Sequence, residues 1–359
     1  MIKILDEHGI TFDDVNIVPA HSEILSRSDV NTSTKFTTNT RLEIPLVAAP
    51  MDTVCGGRML SVLMLAGACG CLHRFYNTID EQTSVLKRAL RDVGEAASWG
   101  AMIDLNSPVC VSIGVKDFQE RAEKLVENCR VNVLLIDVAN GDNIHVKNAM
   151  TWINSRSWRK NVDVILGNVA TADGAKRLID WGANGLRVGI GGGSMCTTRI
   201  QTGIGVPQLS AILNVREVSF VPVIADGGIR YPGDVAKALA AGADTVMIGS
   251  LFAGTEESPG ELFISGEFPK EKTMKVFRGS ASMSAKISTK QNAVNIEGTS
   301  TLIEYKGKVR LIVDRIMDGV RSSMSYVGAQ NLQEFRERAQ FIRVSNASIV
   351  EAHPQFLVK

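Results

Sequence analysis

Residues 221–249 read VPVIADGGIRYPGDVAKALAAGADTVMIG. Two apolar runs, Val221–Ala225 and Thr245–Gly249, flank one segment of helical period, Gly233–Ala241. Runs this continuously apolar read as strands buried on both faces, and a helix between two such strands is a parallel βαβ unit. The same alternation recurs upstream. Further apolar runs lie at Pro45–Ala49, Ala68–Leu72, Val109–Ile113, Val133–Val138, Val162–Gly167 and Gly185–Ile190. Helix-period segments between them include Phe118–Asn128, His145–Ser155, Ala172–Trp181 and Pro207–Val215. Eight such strands alternating with helices predict an α/β fold, a parallel (β/α)8 TIM barrel. A doubly wound open sheet is the alternative; the count of eight and the lack of an early G-x-G-x-x-G turn favour the barrel.

The 359 residues are 45% hydrophobic and 21% charged, as expected of a globular chain. Lys plus Arg is 39 and Asp plus Glu is 38, so the net charge of +1 leaves no electrostatic footprint for nucleic acid or an anionic membrane. No apolar run approaches the ~18 residues of a membrane span, and Met1–Asp14 does not read as a signal peptide. Six cysteines form no C-x-x-C pair and only five histidines are present, so no zinc site is expected. Reduced thiols and a cytoplasmic location follow as expectations. The chain reads as one domain, residues 1–359. Within it, 1–44 form an N-terminal extension expected to cap the bottom of the barrel. Residues 270–310 form a mobile flap region and 340–359 a C-terminal tail. No module is inserted.

In a barrel the chemistry sits on loops after the C-terminal ends of the strands. After the sixth strand comes Gly189–Arg199, with three consecutive glycines, Gly191 to Gly193, ahead of Cys196. A lone cysteine is more often an incidental thiol. On a glycine turn, beside Ser194, Thr197, Thr198 and Arg199, it becomes a candidate nucleophile. After the seventh strand come Asp226, Gly227 and Gly228; after the eighth come Gly249 and Ser250. Glycines and a hydroxyl at these two positions suit a phosphate, and Asp226 suits a ribose diol. Asp137, Asn140 and Gly141 follow the fourth strand, where Asp137 is a candidate ligand contact. Glu297 alone would read as a solvated charge. His73 is read as a structural histidine. From pattern alone the chain is a barrel enzyme with a cysteine nucleophile and a phosphate-bearing ligand.

The cysteine loop, with Thr202–Gly205 and Pro207–Ser210 after it, resembles that of the IMP dehydrogenase/GMP reductase family. So do Ala48–Val54, Gly167–Thr171, Asp226–Gly228 and Glu256–Glu261, in order along the chain. The resemblance implies a homotetramer that binds a purine nucleoside monophosphate. It implies that Cys196 attacks C2 of the purine to give a covalent thioimidate, with Thr198 and Glu297 beside that chemistry. Ser194, Gly228, Gly249, Ser250 and Gly279 would bind the substrate with Asp226. Asp137, Asn140 and Gly141 would meet the cofactor. The carbonyls of Gly191, Gly193 and Cys196 would hold a monovalent cation, K+. In the dehydrogenase an Arg-Tyr pair on the flap activates the hydrolytic water, whereas Gly279–Glu297 contains neither residue. Phe277 also matches the reductase, and no paired regulatory CBS modules are present. The expected activity is therefore NADPH-dependent reduction of GMP, or a related guanine nucleotide, to IMP and ammonia. A compact IMP dehydrogenase using NAD, with Lys286 or Lys290 promoting hydrolysis, is the alternative, and a non-catalytic nucleotide-binding protein the third reading. Arg74 and Val115 depart from the reductase pattern, and Ser280-Ala281 departs from the base-binding segment of both enzymes.

Overall fold

A computed structural model describes residues 8–99, 107–267, 269–288 and 296–352. Eight parallel strands close into a barrel: β1 (Leu46–Ala48), β2 (Cys69–Leu72), β3 (Cys110–Ile113), β4 (Val133–Asp137), β5 (Asp163–Val169), β6 (Gly185–Val188), β7 (Val223–Asp226) and β8 (Thr245–Ile248). β8 pairs back onto β1, with Val246 beside Leu46 and Met247 beside Val47. Helices α1 (Gly57–Leu65), α2 (Ile79–Ser98), α3 (Phe118–Asn128), α4 (Ile144–Asn154), α5 (Ala172–Asp180), α6 (Gln208–Val218), α7 (Pro232–Ala240) and α8 (Val309–Tyr326) surround it. The repeat expected from the apolar runs is the one the chain adopts. Among the described residues no helix is long and apolar enough to cross a membrane.

Strand alternation divides the core in two. Val47, Cys69, Cys71, Cys110, Val133, Leu135, Ile165, Ile224 and Met247 fill the barrel interior. Their neighbours, such as Leu46, Val111, Leu134, Val164, Leu186 and Val246, face the helices. Cys69 and Cys71, two residues apart, thus share the interior face. Phe36 and Leu42, from the small hairpin Thr34–Lys35/Arg41–Leu42, plug the bottom of this interior. Asn39 Nδ2 donates to Asp163 Oδ1 at 2.8 Å, at the start of β5.

The extension does not act as a single cap. Residues 34–42 cover the bottom, but residues 9–14 lie at the opposite, loop-bearing end. Ile10 N–H donates to Ser210 Oγ at 2.9 Å, and the Arg230 guanidinium donates to Asp13 at 2.6 and 2.8 Å. Between the two ends, Val15–Val18 pairs with Gln340–Arg343 as an antiparallel ribbon. The described part of the 270–310 region, residues 270–288 and 296–310, contains regular structure. β9 (Phe263–Ser265), β10 (Lys272–Arg278) and β11 (Ser300–Glu304) form an antiparallel sheet above the barrel. β10 buries Lys275 and Phe277 on alternate positions, which gives the sheet an inner face.

His73 follows β2 and is buried, 5% exposed, with its ring stacked on Tyr76. Its Nδ1 accepts the Phe75 N–H at 3.1 Å, which requires that nitrogen unprotonated. Burial pushes its pKa down to about 4, against the pull of the Asp52 carboxylate. The unfolded chain takes up a proton near pH 6.5 and the folded one does not. Stability from this group is complete above that pH and is lost as the pH falls to about 4. The loss should reach ~3 kcal/mol. His73→Gln should flatten the acid limb of a denaturation-against-pH curve; an unchanged limb would mean that His73 protonates freely.

Candidate active site

The same alternation that fills the barrel carries three charged residues to its upper rim. Counting from interior Leu135, Gly185 and Ile224, the next inward position on each strand is Asp137, Arg187 and Asp226. Arg187 bridges the two acids: Nη1 to Asp137 Oδ1 at 2.5 Å and Nε to Asp226 Oδ2 at 2.8 Å. Burial works against its charge, but Asp226 and Asp137 outweigh it and hold the guanidinium pKa well above the usual arginine value. Gly167 on β5 makes room, because a Cβ there would sit 2.6 Å from the Arg187 Cβ. Asn168 Nδ2 donates to the same Asp226 Oδ2 at 2.8 Å. Asp226 Oδ1 takes no hydrogen bond from the described residues and remains open to a ligand hydroxyl. Arg74 pairs with the other oxygen of Asp137 at 3.5 Å and lies over the Phe75 ring at 4.7 Å.

This rim is the floor of a cleft of about 440 Å³. Cys196 stands in its wall. The thiol is half-buried, whereas Cys55, Cys69, Cys71, Cys110 and Cys129 are all buried. Its loop turns tightly enough for Cys196 N–H to donate to Gly193 O at 3.0 Å. Sγ donates to Thr198 Oγ1 at 3.1 Å, and Thr198 Oγ1 donates to Glu297 Oε2 at 2.7 Å. Thr198 opens a short helix, Thr198–Thr202. Glu297 arrives from 99 residues downstream, on a short extended piece wedged between the cysteine loop and the start of the flap. Thr197 N–H donates to Glu297 O at 2.9 Å, Thr299 N–H to Met195 O at 3.1 Å, and Glu297 N–H to Ala281 O at 3.2 Å. The result is a hydrogen-bonded path from thiol to carboxylate.

Ser194, Gly228, Gly249, Ser250 and Gly279 also line the cleft, as do Gly191 and Gly193. Gly228 contributes shape rather than a donor: with φ +76° it turns sharply, and its N–H is spent on Gly192 O at 2.8 Å. Asn140 and Gly141 stand apart from the cleft lining. Asn140 is exposed, and its side-chain oxygen accepts the Asp142 N–H at 3.2 Å, while the Gly141 N–H donates to Asn168 O at 2.7 Å. They shape the loop after β4, whose cleft-lining residues are Asp137, Val138 and Ala139. Lys290 and the side chain of Lys286 lie outside the described part of the structure. The nearby Arg278 is bound to Asp52 through Nε at 2.9 Å and through Nη2.

Arg187, Asn168 and Arg74's link to Asp137 were not read as site features from sequence. Arg187 did carry a signal: it is a charge inside the apolar run Gly185–Ile190, and a buried charge needs partners.

Residues 9–355 match the family model described as IMP dehydrogenase / GMP reductase domain. The inosine-5'-monophosphate dehydrogenase of Cryptosporidium parvum is 36% identical to this chain, covering 96% of it and 94% of the relative. The GMP reductase of Leishmania major is 29% identical, covering 96% of each. A crystal structure of a GMP reductase from Trypanosoma brucei, a cysteine-to-alanine variant in complex with guanosine 5'-monophosphate, superposes with a TM-score of 0.90 at 30% identity over 98% of both chains. The relatives are oxidoreductases, and the chain belongs to the IMP dehydrogenase/GMP reductase family.

Proposed function

We propose that the protein is a GMP reductase-type enzyme, converting GMP or a related guanine nucleotide to IMP and ammonia at the expense of NADPH. The observation that carries this reading is the pairing of the Cys196–Thr198–Glu297 path with a flap that holds no Arg or Tyr from Gly279 to Glu297. The path handles the protons of deamination. Thr198 and Glu297 take the thiol proton as Sγ attacks C2, and return it to the departing amine. The C2–S bond forms, the C2–N bond breaks, and a thioimidate on Cys196 remains. NADPH, when bound, supplies the hydride to C2, which releases the thiolate and leaves IMP. Without a flap base to activate water, the thioimidate persists long enough to be reduced.

The site has the donors and surfaces this requires. Asp226 Oδ1 is open for a ribose hydroxyl, and Gly249 and Ser250 stand at the phosphate end. Asp137 and the flat face of Phe75 offer an acceptor and an apolar plane for a nicotinamide riboside, beside the Arg74 guanidinium. Gly191, Gly193 and Cys196 are proposed to direct carbonyls at K+, Gly193 through its second lone pair. A homotetramer is the proposed assembly.

The second reading, a compact IMP dehydrogenase, draws on the 36% identity to the Cryptosporidium enzyme. Incubation with IMP and NAD separates the two: the reductase reading expects no XMP, and XMP formed at a rate matching NADH production would replace it with the dehydrogenase.

A further inference from the structure

The N-terminal arm, described from residue 8, reaches the loop-bearing end of the barrel and passes beneath the turn after β7. Phe12 is 2% exposed, and its ring lies 3.4 Å from where a Cβ on Gly228 would stand. Lys237 Nζ on α7 donates to Phe12 O at 2.9 Å, and Thr11 and Asp14 close a capping box around the arm's single turn, Phe12–Asp14. Asp13 meets Arg230, two residues past Gly228. On its other side the turn is gripped by the cysteine loop. Gly228 N–H bonds Gly192 O, and a Cβ on Gly227 would fall 3.0 Å from the Gly192 carbonyl carbon. The turn is thus clamped between Phe12 and the backbone that leads to Cys196.

We propose that Phe12 is a positioning residue, bracing the Gly227–Gly228 turn so that the phosphate end of the cleft is held in register with the Cys196 loop. The proposal rests on the nucleotide reading of the cleft. The arm then sets affinity for the phosphate group and leaves affinity for the base and ribose unchanged.

The test uses the full chain and equilibrium binding, so that turnover plays no part. Calorimetry is run with GMP, with guanosine and with inorganic phosphate competing against GMP. Phe12→Ala should weaken GMP and inorganic phosphate by about tenfold while leaving guanosine within a factor of about two. Phe12→Leu should recover most of the loss. Asp13→Ala, a change at the surface that the core does not depend on, should shift the same two ligands in the same direction and supplies the answer if Phe12→Ala does not fold. Equal weakening of GMP and guanosine, or no change in either, would overturn the brace. Failure of the unaltered protein to bind GMP at all would overturn the nucleotide reading beneath it, a distinct result.

Discussion

Cys196→Ala should reduce turnover by a factor on the order of 10³ or more while nucleotide affinity changes little. The substitution removes the only half-buried thiol in the chain and leaves the floor of the cleft intact. Asp226 ends β7 and Gly249 and Ser250 follow β8, and the backbone turn of the cysteine loop depends on Cys196 N–H, which alanine keeps. The two measurements together are informative. Calorimetry with GMP should give near-unchanged binding, and a steady-state assay should give almost no rate. Turnover within about tenfold of the unaltered protein would remove Cys196 as the nucleophile.

The second large effect is expected at Arg187. Arg187→Met leaves Asp137 and Asp226, both mostly buried, facing one another without their shared cation. Breaking a buried ion pair from one side costs up to roughly 3–5 kcal/mol, because a charge remains in a largely desolvated place. Like charges then face one another across the rim, and Asp226 should lose its fixed orientation. The expected outcome is a clear drop in denaturation midpoint and loss of detectable GMP binding at neutral pH. Arg187→Lys should recover part of the stability and little of the binding, since an ammonium cannot reach both carboxylates with the geometry of a planar fork. A variant as stable as the parent would mean that the bridge contributes no net stabilisation.

Much of this was legible in the sequence, for identifiable reasons. A strand buried on both faces must be apolar throughout, so all eight barrel strands stood out, and the helix pattern between them fixed the parallel arrangement. The glycine loop before Cys196 was equally plain. Glu297 was not readable from its surroundings, because what makes it part of the site is a wedge of backbone hydrogen bonds to Met195, Thr197 and Ala281, formed by residues far apart in the chain. Only the family resemblance placed it. Asn140 and Gly141 were expected at the cofactor and in this structure shape the turn after β4, since a polar turn after a strand looks the same in either role. Phe12 was invisible for a different reason. One phenylalanine in an extension reads as generic packing, and its meaning comes from the direction the arm takes past the antiparallel ribbon Val15–Val18.

In the proposed reaction Cys196, Thr198 and Glu297 remove the amino group of a guanine nucleotide and allow C2 to be reduced. The direct measurement is NADPH absorbance on mixing the protein with GMP, with ammonia assayed in the same sample. The expected result is loss of NADPH with an equal amount of ammonia released. No loss of NADPH, together with XMP formed from IMP and NAD, would contradict it and assign the hydrolytic step to a base other than the flap Arg-Tyr pair.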